Sequence, residues 1–141
     1  MVGLVVASHG RLAEELLATA RQIVGELPHV AHCSVDTSAS PEEIKLQLRN
    51  AVKAVDGGDG VIVFADLIGG SPCNQSLSLC RQSKMEVLTG VNLPMLLKAN
   101  SLRAVHPSPT LEVMAHELTQ YGQKNITCAT DLLRAKSAGA A

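Results

Sequence analysis

Aromatic side chains are nearly missing from this chain: 141 residues contain one phenylalanine, one tyrosine and no tryptophan. That leaves almost no platform for stacking nucleobases and argues against a flavin held between rings. Charge of one sign is missing too. Twelve Lys and Arg stand against 13 Asp and Glu, for a net charge of −1, which excludes strong attraction to nucleic acid or to an anionic membrane. No apolar run approaches the roughly 20 residues needed to span a bilayer. The apolar start meets His9 and Arg11 without a basic leader and does not read as a signal peptide. Cys33, Cys73, Cys80 and Cys128 form no CxxC pair. Cys73 and Cys80 fall on one expected helix, about 10 Å apart along its axis, too far for a disulfide. Such thiols are expected to be buried as small hydrophobes in a reducing, cytoplasmic setting. There is no Walker A motif and no GxGxxG, so no nucleotide cofactor is expected. His29, His32 and Cys33 lie close together but lack a fourth ligand at a recognised spacing, so no metal is expected either.

What is present is apolar and periodic. Hydrophobic residues make up 46% and charged residues 18%, enough for one domain with a real core. Residues 1–8 and 61–65 are continuous β-rich apolar runs, the pattern of strands covered on both faces. Residues 30–35 and 85–88 read as two more strands. Helices are expected over 11–26, with Leu12, Leu16, Ala20, Ile23 and Leu27 at spacings of three and four, and from Ser40. There Ser40-Pro41-Glu42-Glu43 forms a capping box. Further helices are expected from Ser71 to about Ser83, from Leu93, and over 110–121, the last stopped by Gly122. Residues 125–130 read as a short last strand and 131–136 as a final helical turn. The domain is thus expected over 1–136, with a flexible tail over 137–141. The alternation predicts an α/β fold: a single three-layer domain whose mostly parallel sheet has four parallel strands plus an antiparallel edge strand.

Two strand ends carry the chemistry. The strand over 61–65 delivers Asp66, then Leu67-Ile68-Gly69-Gly70, then a helix start with Ser71 expected as its N-cap and Pro72 at the first position. A helix N-terminus there favours an anion. The first strand delivers Ser8, His9 and Gly10. In an open parallel sheet both ends share one edge, where ligands bind. Taken singly, His9 is a loop histidine, Asp66 a turn cap and Gly69-Gly70 a tight turn. Together, an imidazole, a carboxylate and an anion-favouring helix end are what a phosphate-accepting histidine requires. His9 and Asp66 are the expected catalytic pair, with Gly70 and Ser71 binding the phosphate. Gly90 and Asn92 read as turn residues at the rim. Arg11 is either a solvated first-turn charge or a contact to partner or phosphate.

Three blocks, Val6-Ala7-Ser8-His9-Gly10, Asp66 through Asn74 and Gly90-Val91-Asn92-Leu93-Pro94-Met95-Leu96, occur in order across essentially the whole chain. In these the chain resembles the enzyme IIA proteins of the mannose family of the bacterial sugar phosphotransferase system. The resemblance implies that His9 accepts a phosphoryl group from the phosphocarrier HPr and passes it to an enzyme IIB, with Asp66 in support. It implies a homodimer whose last strand, 125–130 here, is exchanged, and a membrane link only through a permease complex. Ala7-Ser8 stands where the family often has Gly-Thr or Gly-Gly, and with the chain ending at Ala141 no IIB domain is expected to follow. The other expectation is a non-transport regulator that senses phosphorylation state through the same histidine.

Overall fold

The structure, a computed structural model, describes residues 1–140. Its elements are β1 (Gly3–His9), α1 (Leu12–Val24), β2 (Val30–Val35), α2 (Pro41–Val55), β3 (Val61–Ala65), α3 (Ser71–Leu79), β4 (Met85–Leu88), α4 (Leu93–Ala104), α5 (Leu111–Lys124) and α6 (Ala129–Ala140). The four strands form one parallel sheet in the order β2-β1-β3-β4. The core has two layers because strand side chains alternate between faces. Leu4, Val6, Ile62 and Phe64 pack with α1, α4 and α5. Val5, Ala7, Val61 and Val63 pack with α2 and α3. Burial of both faces explains why β1 and β3 read as unbroken apolar runs. Each fully buried Phe, Leu or Ile contributes about 1.5–3 kcal/mol of transfer free energy.

From β1 the chain moves outward through α1 to β2, then returns through α2 past β1 to β3. The strand order therefore reverses between β1 and β3, and the crevice at their C-terminal ends is the switch point of the sheet. Several local choices drive this. Ser40 accepts from Glu43 N–H while Glu43 caps Ser40 N–H in return, so α2 starts where the capping box predicts. Gly10, at φ +55°, turns the chain from β1 straight into α1. The Arg103 guanidinium, buried at the end of α4, donates from Nη1 to the carbonyls of Val2 and Pro28. It ties that helix to the N-terminal rim of the sheet, and burial pushes its pKa down to about 10.

Several expectations are corrected. Residues 126–128 form no strand; they lie between α5 and α6, and α6 is exposed wherever its side chains are described. A strand needs a ladder to satisfy its N–H and C=O groups, and none forms within the single chain. Leu132-Leu133-Arg134-Ala135-Lys136 instead favour a helix, which runs on through Ala140; Ala141, the end of the expected tail, lies outside the described residues. Gly122 does not stop α5. It is buried inside the helix, where a Cβ would lie 2.7 Å from Met95 Sδ, and its lack of a side chain lets α4 and α5 approach. Helix α3 ends at Leu79, where three-residue turn bonds from Cys80 and Gln82 take over. The buried stripe of α1 is Ala13, Leu17 and Ala20, while Leu12 and Ile23 face outward. Finally, Cys33 and Cys73 are buried as expected, but Cys80 is only partly buried and Cys128 is exposed.

Candidate functional site

His9, the last residue of β1, and Asp66, the residue after β3, meet at the switch point. Asp66 Oδ2 lies 2.7 Å from His9 Nδ1 and also accepts the His9 backbone N–H at 2.9 Å. Its other oxygen accepts from Leu67 N–H at 2.9 Å. An ionised carboxylate only accepts, so Nδ1 carries the proton and Nε2 is left with a lone pair. One oxygen bonded to both the main chain and the ring of the same residue holds the imidazole against rotation. The side chains are unequally exposed, 41% for His9 and 10% for Asp66, so the carboxylate is the sheltered support and the ring is open to solvent. Burial pushes the Asp66 carboxyl up, but the hydrogen bonds from His9 and Leu67 outweigh it and leave it below its ordinary value.

The other side of the ring faces the start of α3. The N-cap is Gly70, not Ser71, and no side chain caps the helix. Ser71 is the first helical residue and is exposed, so its hydroxyl is not taken up in capping. Pro72, at the second position, has no N–H to leave unsatisfied. A Cβ placed on Gly70 would lie 2.7 Å from His9 Cε1 and 3.4 Å from Nε2, which sets the free nitrogen beside the helix end. Helix α3 is nine residues long, and its uncapped first turn carries the partial positive charge of any helix N-terminus. His9, Asp66 and Gly70 are thus brought together, with Ser71 next in chain.

Other residues sort themselves by contact. Ser8, fully buried, accepts from Ala13 N–H at 2.7 Å. It caps α1 from inside the preceding strand, since Arg11, the N-cap, makes no side-chain cap. Sequence alone flagged Ser8 only as a family departure; a hydroxyl five residues before its target is outside the usual capping patterns. Arg11 reaches along α1 to Glu14 and Glu15 and is exposed, which is the solvated first-turn charge. Asn92 caps α4 through Met95 N–H and donates to the Gly122 carbonyl. Leu67 and Ile68 were not singled out in sequence, yet they stand 50% and 78% exposed on the loop between Asp66 and Gly70. Among the described residues, no group of three His, Cys, Asp or Glu is placed to hold a metal ion.

A parallel α/β domain with an imidazole–carboxylate pair at its switch point, against an uncapped helix end, has an edge suited to an anionic group. Comparison with known proteins narrows this. Residues 3–117 match the family EIIA-man, described as the PTS system fructose IIA component, and the chain belongs to that family. It is 31% identical over 125 residues to the PTS system mannose-specific EIIAB component of Escherichia coli K12, covering 87% of this chain and 39% of that protein. The chain therefore spans well under half the length of that curated relative. It is 34% identical to the mannose/sorbose specific IIA subunit of Enterococcus faecalis, with a TM-score of 0.79 and coverage of 90% of this chain and 93% of that one. It is also 27% identical over 123 residues to the transcriptional regulatory protein LevR of Bacillus subtilis, of which that stretch covers 12%.

Proposed function

We propose that the chain is a cytoplasmic phosphocarrier of a sugar phosphotransferase system, taking a phosphoryl group from phospho-HPr on His9 and passing it to an enzyme IIB. The observation that carries this is the 2.7 Å contact between His9 Nδ1 and Asp66 Oδ2. It supports the tautomer protonated at Nδ1, which leaves Nε2 as the nucleophile. The Nε2 lone pair attacks the phosphorus of the donor; the donor's P–N bond breaks and its electron pair stays on the donor ring. The His9 ring, now bonded to phosphorus and still protonated at Nδ1, carries positive charge that the Asp66 carboxylate offsets. In the onward step the IIB nucleophile, a cysteine or histidine, attacks the same phosphorus and the Nε2–P bond breaks back onto His9.

The phosphoryl oxygens carry spread charge, which the protein neutralises rather than attacks. The backbone N–H groups at Gly70 and Ser71 and the free Ser71 hydroxyl are the cradle. One helix end contributes about 0.3–1 kcal/mol to an exposed anion, up to about 2 when partly buried, a grip loose enough for onward transfer. We further propose a homodimer, in keeping with Ile126, Leu132 and Leu133 being left exposed. The membrane enters only through a permease. Among the described residues no helix is long and apolar enough to cross one.

A second reading, a regulator that senses phosphorylation state through His9, is favoured by the similarity to LevR. Incubation with phosphoenolpyruvate, enzyme I and HPr, followed by mass spectrometry, tests the common core: labelling on His9 is expected, and labelling elsewhere or none overturns it. Transfer on to a IIB protein separates carrier from regulator.

A further inference from the structure

Gly70 has φ −78° and ψ 163°, an extended backbone that any L-residue adopts. Its backbone does not demand glycine; its surroundings do. A Cβ there would sit 2.7 Å from His9 Cε1, 3.1 Å from Leu67 Cδ1 and 3.4 Å from His9 Nε2. Carbon pairs attract at roughly 3.5–4.0 Å, so the first of these is well inside the repulsive wall. Gly10, Gly69 and Gly90 are the opposite case, with positive φ and nothing within 4 Å of an added Cβ. Of the groups that would have to yield, Leu67 Cδ1 is the end of a half-exposed aliphatic chain and can swing into solvent. The ring has no such freedom. Turning it lengthens the 2.7 Å bond to Asp66, whose same oxygen is already held by the His9 main chain.

We propose that Gly70 is a positioning residue for the transfer at His9. By having no side chain, it lets the Cε1–Nε2 edge of the imidazole sit against the start of α3 with Nδ1 on Asp66, and so sets the direction in which Nε2 meets phosphorus. The kinetic part rests on His9 being the phosphoryl acceptor; the ring placement rests on contact geometry alone.

The test compares wild type with Gly70→Ala, Leu67→Ala and the double variant. In Gly70→Ala the far-ultraviolet spectrum is expected to match wild type. Long-range proton–nitrogen NMR of His9 is expected to lose the pure Nδ1–H signature, and kcat for labelling by phospho-HPr to fall roughly 10- to 100-fold with little change in KM. Labelling by phosphoramidate, a small phosphoryl donor that needs no docking, falls with it, and the double variant stays slow. A Gly70→Ala protein with a wild-type ring signature and kcat overturns the proposal, as does a double variant restored to wild-type rate, which would put the strain on Leu67. If Gly70→Ala does not fold, the wild type decides: a nuclear Overhauser contact between Gly70 Hα and His9 Hε1 is expected, and its absence overturns the placement. A wild type that shows the contact but takes no phosphoryl group from phospho-HPr supports the placement and sinks only the carrier reading.

Discussion

Replacing Asp66 with asparagine probes the site with little change in shape. The two carboxylate oxygens accept N–H groups from the His9 main chain, the His9 ring and Leu67. An asparagine has a single acceptor oxygen. If that oxygen faces His9, Leu67 N–H loses its partner. If it faces Leu67, the amide NH2 meets Nδ1 and the ring must move its proton to Nε2, removing the nucleophile. The charge is lost in either case. At about 4 Å between charge centres and an effective dielectric near 20, the attraction is about 4 kcal/mol. The ring is 41% exposed, so water screens it and about half survives. That is about 2 kcal/mol, or roughly 30-fold in rate. Tautomer reversal adds to this, so transfer from phospho-HPr should slow by between roughly 30- and 1,000-fold, as reversal of a hydrolase triad histidine costs still more. Rapid-quench measurement of label transfer reads this directly, with circular dichroism to verify the fold. A rate within error of wild type would refute the reasoning, because no other group on the described residues bonds Nδ1.

Three further outcomes follow. Ser8→Ala removes the buried acceptor for Ala13 N–H and should cost about 1–2 kcal/mol in urea unfolding; a loss near zero would mean that the cap is dispensable. Gly122→Ala drives a Cβ against Met95 and should destabilise by about 1–3 kcal/mol, with partial relief when Met95 is shortened; an unchanged midpoint would contradict the close approach of α4 and α5. The Asp66 carboxyl is held below its ordinary value of 3.8. Its contribution to stability is therefore fully present above that value and is lost as pH falls through its folded value. The stability gap between wild type and Asp66→Asn should therefore shrink on acidification below pH about 4; a gap that widens there would reverse the sign.

Much of this was legible before any coordinates. β1 and β3 announced themselves because strands covered on both faces carry no polar alternation, and α2 because its capping box is local. The meeting of His9 with Asp66 followed from topology, since parallel strand ends share a rim. What stayed hidden was set by space instead of pattern. Gly122 reads as a helix stop in any linear scan; only the nearness of Met95 shows that it is a packing residue. Ser71 has the better cap chemistry, yet Gly70 takes the position, so the helix begins one residue earlier than its composition predicts. The buried stripe of α1 starts at Ala13, whose N–H is held by Ser8, an interaction made from a strand. The segment at 126–128 is β-prone, but a strand exists only where another backbone is present to receive its hydrogen bonds. The role of Gly70 depends on an atom it does not have.

The central claim is that the nitrogen of His9 pointing away from Asp66 receives the phosphoryl group. Phosphorus and nitrogen NMR of the protein phosphorylated by phosphoenolpyruvate, enzyme I and HPr measures this without intermediaries. One phosphohistidine, at His9, with phosphorus bonded to Nε2 and a proton retained on Nδ1, is the result the account predicts. Phosphorus on Nδ1, or on any other residue, would contradict it.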